Sequence, residues 1–207
     1  MEEIINAITH GLGLFLSIAG MVVLVTLASL YGDVRHIVSC SIYGTTLILL
    51  YMASTLYHSA RPASRKKTIF KILDHSCIFL LIAGTYTPFT MVSLPVGWGW
   101  SIFGVVWGLA VLGISYKMFF INHAEWFSTT VYLAMGWLIM IAYQPLKENV
   151  PTGALVLLIA GGLAYSGGVI PFLIKKLPFN HGVWHVFVLT GSILHFLAVT
   201  LYIIPLS

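Results

Sequence analysis

His181-Gly-Val-Trp-His185 opens the last apolar stretch of the chain and carries more chemical content than any other pattern in it. On a helix, positions four apart lie on one face, one above the other. Two imidazoles placed this way can offer ring nitrogens to one metal ion, which makes the spacing a zinc signal. A plainer reading stands beside it, because histidines near a membrane boundary also hydrogen-bond to neighbouring helices or lipid headgroups. A second pair at the same spacing, Ser54 and His58, is followed by Asp74 and His75. A third set, Glu3, Asn6 and His10, falls at i, i+3 and i+7. Three imidazoles from two helices, with a fourth position left to water, form a common catalytic zinc set. His58, His181 and His185 are the candidates for it. Asp74 would hold or deprotonate the water, and Ser54 would hydrogen-bond that water, a ligand or a developing oxyanion. For Asp74 the competing role is an ion pair with Lys71 or a cap at a helix start.

Such a site exists only if separate elements bring these residues to one depth. The chain has 207 residues, of which 59% are hydrophobic and 8% charged. A soluble domain carries about 25% charged residues, so a water-soluble globule is excluded and an integral membrane protein is expected. A bilayer crossing takes about 20 apolar residues, and seven stretches qualify: 10–30, 37–58, 72–93, 99–120, 127–146, 153–174 and 182–205. No linker is long enough to separate domains, so residues 1–207 are expected to form one all-α seven-helix transmembrane domain. Cys40 and Cys77 fall inside apolar segments and imply no disulfide framework. The start, Met-Glu-Glu-Ile-Ile-Asn, lacks the basic region of a signal peptide, so the first segment is expected to stay in the mature protein.

Lysine and arginine set the orientation, since they accumulate in cytoplasmic loops. Arg61, Arg65, Lys66, Lys67, Lys71, Lys117, Lys175 and Lys176 share one side; Arg35 and Lys147 fall on the other. This places the N-terminus inside, Ser207 outside and the protein in the cell membrane. A basic rim against anionic lipid accounts for the net charge of +4 without any nucleic acid. Alternating helix direction then brings the ends bearing His10, His58, Asp74, His75, His181 and His185 to the inner side. His75 points about 100° away from Asp74 on a helix, which suits a supporting or packing role. His10, with Glu3 and Asn6, would support the ligands or close the inner mouth. His36 and His123 are expected in solvated loops. His195 lies roughly 15 Å deeper than His185 at 1.5 Å per residue, beyond reach of the same site. Gly11, Gly13, Gly161, Gly162, Gly167 and Gly168 read as close-packing positions. Pro88 and Pro171 read as kinks, and Trp98, Trp100 and Trp126 as an interfacial belt.

The motifs Glu3-x-x-Asn6-x-x-x-His10, Ser54-x-x-x-His58 with Asp74, and His181-x-x-x-His185 resemble those of the hemolysin III branch of the progestin and adipoQ receptor family, over essentially the whole chain. The resemblance implies seven helices with the N-terminus inside, zinc on His58, His181 and His185, and Asp74 holding the zinc water. The wider superfamily includes alkaline ceramidases with a similar serine, aspartate and three-histidine set, which implies hydrolysis of a lipid amide or ester. The chain lacks the long N-terminal region and sizeable outer domain of the hormone-sensing members, so a hormone-receptor role is not expected. Two functions follow as expectations: a zinc-dependent lipid amide or ester hydrolase, or a non-enzymatic lipid sensor or pore-forming protein with structural zinc. Metal transport fits less well, because the ligands gather at one end rather than near the midplane.

Overall fold

Inside a bilayer every backbone N–H and C=O must be satisfied within the protein, so long apolar runs cross it as helices. The computed structural model, which describes residues 1–122 and 125–205, has seven helices long and apolar enough to do so. In chain order they are built from α1 (Glu2–Tyr31), α2 (Val34–Ser59), α3 (Arg65–Pro88), α4 (Val96–Phe120), α5 (Glu125–Trp137), α6 (Tyr143–Asn149), α7 (Thr152–Leu173) and α8 (Asn180–Ala198). A π turn over Phe89–Ser93 extends α3, and another over Val199–Ile203 extends α8. The fifth span joins α5 to α6 through a 3-10 turn, Leu138–Ala142. His123 and Ser207 lie outside the described residues.

Several boundaries differ from those expected. α1 begins at Glu2, so Glu3 and Asn6 sit on the membrane helix itself rather than ahead of it. α3 begins at Arg65, where the Ser64 hydroxyl accepts the Lys67 N–H at 3.1 Å. Asp74 therefore lies in the third turn and caps nothing. His36, expected in a loop, belongs to the capping box that starts α2. There its ring closes to 2.7 Å from the Asp33 carboxylate and holds that carboxyl down to about 2. Pro171 sits in the last turn of α7 and kinks nothing further in, whereas Pro88 stands where α3 passes into its π turn.

The fifth span breaks because Pro145 has no N–H and its ring clashes with the carbonyl four residues back. Tyr86 serves backbone groups earlier in the same break. Its hydroxyl accepts the Ile139 N–H at 2.8 Å and donates to the Met135 and Gly136 carbonyls, each at 2.8 Å.

Around the bundle, α1 packs on α2, α2 on α3, α3 on α5, α5 on α7, α7 on α8, and α8 back on α1. α4 packs on α3. Lipid tails are as apolar as the helices, so association rests on close contact and hydrogen bonds rather than on exclusion of water. At Gly13 a Cβ would collide with the ring of Tyr51, and at Gly161 with the ring of His195. Mid-bundle, the Tyr51 hydroxyl donates to Ser192 Oγ at 2.8 Å, Tyr165 Oη pairs with the same atom at 2.8 Å, and Tyr43 reaches the Ser192 carbonyl at 3.5 Å. A cavity of about 170 Å³ runs between α3, α5, α7 and α8, walled by Asp74 and His181 at the basic end and by Phe89 and Leu146 at the other.

Candidate metal centre

α8 starts from an unusual backbone. Phe179 is left-handed, with φ at 55°, a conformation that costs a non-glycine residue about 1–2 kcal/mol. Two contacts hold it there: the Phe179 carbonyl accepts the Val183 N–H at 2.9 Å, and the Asn180 amide donates to the Phe172 carbonyl at 3.0 Å. The first turn of α8 is thus tied to the end of α7. His181 and His185 follow, with ring centroids 4.7 Å apart. His58, in the last turn of α2, brings its ring to 4.8 Å from His181 and 5.0 Å from His185, nearly edge-on to both. One ligand nitrogen from each ring lies within 4.8 Å of the other two. Among the described residues this is the one group of three or more histidine, cysteine, aspartate or glutamate side chains so arranged.

The hydrogen bonds around the rings fix which nitrogen is free. A carboxylate only accepts, so His58, at 2.8 Å from Glu3 Oε2, donates from Nδ1. Its Nε2 then carries the lone pair, buried and without a partner. The Thr9 hydroxyl gives its hydrogen to its own helix, at 2.9 Å from the Ile5 carbonyl and 3.0 Å from that of Asn6. Thr9 Oγ1 is therefore an acceptor for His185 Nδ1 at 3.1 Å, which again leaves Nε2 for a ligand. A carboxylate or hydroxyl behind the ring is the usual support of a metal-bound histidine. Glu3 also accepts from Lys67 Nζ at 3.0 Å and so joins α1, α2 and α3. Two imidazoles supported through Nδ1, with a third from His181 whose ring nitrogen lies within 4.8 Å of theirs, suit zinc and other first-row metals. The residues fit a metal ion.

The remaining polar residues fall into place around this group. His10 stacks on His185 with centroids 3.4 Å apart and planes 13° from parallel, and it meets the edge of Tyr51 at 5.1 Å. Both His10 nitrogens and Asn6 Oδ1 are buried without partners. Ser54 and Asp74 are buried and share the cavity wall with His181 and His185. Asp74 makes no ion pair with Lys71 among the described residues. His75 lines the same cavity outside the three-histidine group, and its carbonyl accepts the Tyr132 hydroxyl at 2.9 Å. His195 bonds to the Leu158 carbonyl at 3.0 Å and stays out of the group. Thr9 and Lys67 were missed in the sequence; Thr9 follows Asn6 by three, so a helical wheel of α1 would have placed it on the site face.

The model of haemolysin-III-related proteins matches residues 1–196 of this chain. The chain belongs to that family. It is 48% identical to Hemolysin-3 of Bacillus cereus over 204 residues, 99% of this chain and 93% of that protein. With the Hemolysin-3 homolog of Bacillus subtilis (strain 168) it shares 47% over 201 residues, 97% and 94% of the two chains. A more distant likeness, 27% over 207 residues, joins this haemolysin-III-related chain to the human Monocyte to macrophage differentiation factor, covering 98% of this chain and 84% of the other. No solved structure matches.

Proposed function

We propose that the chain holds zinc through His58, His181 and His185 and hydrolyses an acyl amide or acyl ester of a membrane lipid at the basic end of its bundle. One observation carries this reading: the three-histidine group and the Asp74–Ser54 pair stand together at the head of a long apolar cavity. A zinc ion held by His58, His181 and His185 would supply Lewis acidity, polarising a carbonyl and easing the ionisation of water. The chain's own residues supply the rest. Asp74 Oδ accepts the proton of the attacking water and returns it to the leaving amine or alkoxide as the acyl bond breaks, while the Ser54 hydroxyl donates to the oxyanion as charge develops. Glu3 and Thr9 keep the rings of His58 and His185 in the tautomer that presents Nε2. The acyl chain lies in the cavity, along the apolar side chains of Ile78, Ile82 and Leu133.

Asp74→Asn keeps size and one oxygen but removes the base. It should retain most of the metal and lose turnover of ceramide-like or phospholipid substrates by about 100-fold, the scale of a general base. Full turnover in that variant would remove Asp74 from the mechanism. A second reading, a structural metal in a membrane-permeabilising protein, draws on the name Hemolysin-3 carried by the relatives. It requires metal without turnover on any acyl lipid.

The eight-to-two lysine and arginine bias supports a cytoplasmic basic end in the cell membrane. A cysteine at the exposed position Pro62, in the loop between α2 and α3, tests it. Pro62→Cys should resist an impermeant thiol reagent in intact cells and react after lysis; labelling in intact cells would reverse the orientation.

A further inference from the structure

We propose that a phosphate-bearing anion binds at the basic end between α3, α4 and α5, seated on Lys117 and the hydroxyls of Ser76 and Ser128. Lys117 is 1% exposed, in the last turn of α4, and makes no hydrogen bond or ion pair among the described residues. Favourable interaction with the negative end of a helix accounts for a lysine at that position. It does not account for a side chain so enclosed, since desolvating an ammonium costs several kcal/mol unless a counter-charge meets it.

The neighbours supply no free carboxylate. Lys71, His75 and Glu125 lie within electrostatic reach of one another and of Lys117. The Glu125 carboxylate is already engaged by Lys175 Nζ at 2.8 Å. Three lysines thus interact with one carboxylate. The helix register brings two orphaned hydroxyls to the same corner. Gly113 of α4 meets the Phe79 ring of α3. These helices are antiparallel, so Ser76, a turn before Phe79, comes level with Lys117, a turn after Gly113. α5 runs parallel to α3, with the Tyr132 ring 4.6 Å from that of Phe79. Ser128, four residues before Tyr132, therefore comes level with His75, four residues before Phe79. Ser76 and Ser128 are 7% and 3% exposed, and neither Oγ has a partner. His75 Nδ1 is likewise unpartnered.

Surplus positive charge with several convergent donors at headgroup depth is the chemistry that receives phosphate oxygens. That phosphate belongs either to a lipid headgroup or to a free anion. The site shares no side chain with the three-histidine group, so metal content distinguishes its failure from failure of the proposed function.

Purified full-length protein in detergent should be titrated with phosphatidylglycerol, with inorganic phosphate and with diacylglycerol, reading thermal stability, lipid retention by native mass spectrometry, and bound metal. Phosphatidylglycerol should raise Tm, and diacylglycerol should not. An equal rise with phosphate alone identifies a free anion; a rise with the lipid only identifies a headgroup. Lys117→Met, which keeps the stem volume, should weaken retention about tenfold, the scale of one charge-assisted hydrogen bond, with metal unchanged. Ser128→Ala, which leaves every charge in place, should weaken it less and serves if Lys117→Met does not fold. Unchanged affinity in the folded variants overturns the proposal. So does a diacylglycerol effect equal to that of phosphatidylglycerol, or no response to either phosphate source.

Discussion

The histidine cluster at the basic end and the tyrosine–serine cluster in mid-bundle both join α2 to α8, yet they are finished differently. Around Ser192, each hydroxyl of Tyr43, Tyr51 and Tyr165 has a partner. Around His58, His181 and His185 the supporting atoms are paired, through Glu3 and Thr9, while His58 Nε2, both nitrogens of His10 and Asn6 Oδ1 are not. An unpaired polar group in a low-dielectric interior is costly, so native proteins keep few of them. A closed network ties helices together; an open one with its outer shell in order is set up for a guest. The two clusters are linked through Tyr51, which serves Ser192 by its hydroxyl and His10 by its ring edge.

If that contrast is functional, emptying the open cluster should have the largest effect. His181→Ala/His185→Ala leaves one of three candidate ligands, so bound metal should fall to background. Thermal stability should fall with it, because an ion bound to the native state alone adds RT ln(1 + [L]/Kd). Near-stoichiometric metal in the double variant would sink the assignment.

A smaller effect is expected one shell out. Glu3→Gln keeps a hydrogen-bond acceptor for His58 Nδ1 but loses the charge that holds the ring. Supporting residues of this kind typically change metal affinity by about 10–100-fold. Glu3 is also half-exposed at the bundle rim, so the lower end of that range is expected. Competition with a chelator of known affinity measures it; an unchanged Kd would make the Glu3–His58 contact incidental.

The legible part of this molecule is the part written in runs and fixed spacings. The seven spans follow from apolar length, and the meeting of His58 with His181 and His185 follows from alternating helix direction plus two i, i+4 pairs. What escaped depends on partners far away in sequence. Thr9 matters because His185, 176 positions later, lies against it. The break in the fifth span is stabilised by Tyr86, on another helix. Ser192 looks like any small residue in an apolar run until three tyrosines from two other helices reach it. Lys117 reads as one more basic-rim residue, and only the packing of α4 on α3 shows that it is enclosed.

The smallest effect should come from the closed cluster, and it tests the contrast most directly. Ser192→Ala deletes the oxygen that receives Tyr51 and pairs with Tyr165, but not the backbone carbonyl reached by Tyr43. Two buried hydroxyls lose a partner, and each loss costs about 1–3 kcal/mol in a dry interior. Two things reduce this. Hydrogen bonds between membrane helices average about 0.6 kcal/mol, because the unfolded state in lipid also finds partners. Tyr165 also borders the cavity, where water can replace Ser192. A net loss of about 1 kcal/mol is therefore expected, with metal content and Kd unchanged. Tyr51→Phe removes the donor while keeping the ring edge against His10, so it should lose no more stability and also keep the metal. Retained metal in both variants, with modest destabilisation, is what a closed structural network gives. Metal lost from Ser192→Ala would mean that the two clusters act as one unit through Tyr51 and His10, and that the division drawn between them is wrong.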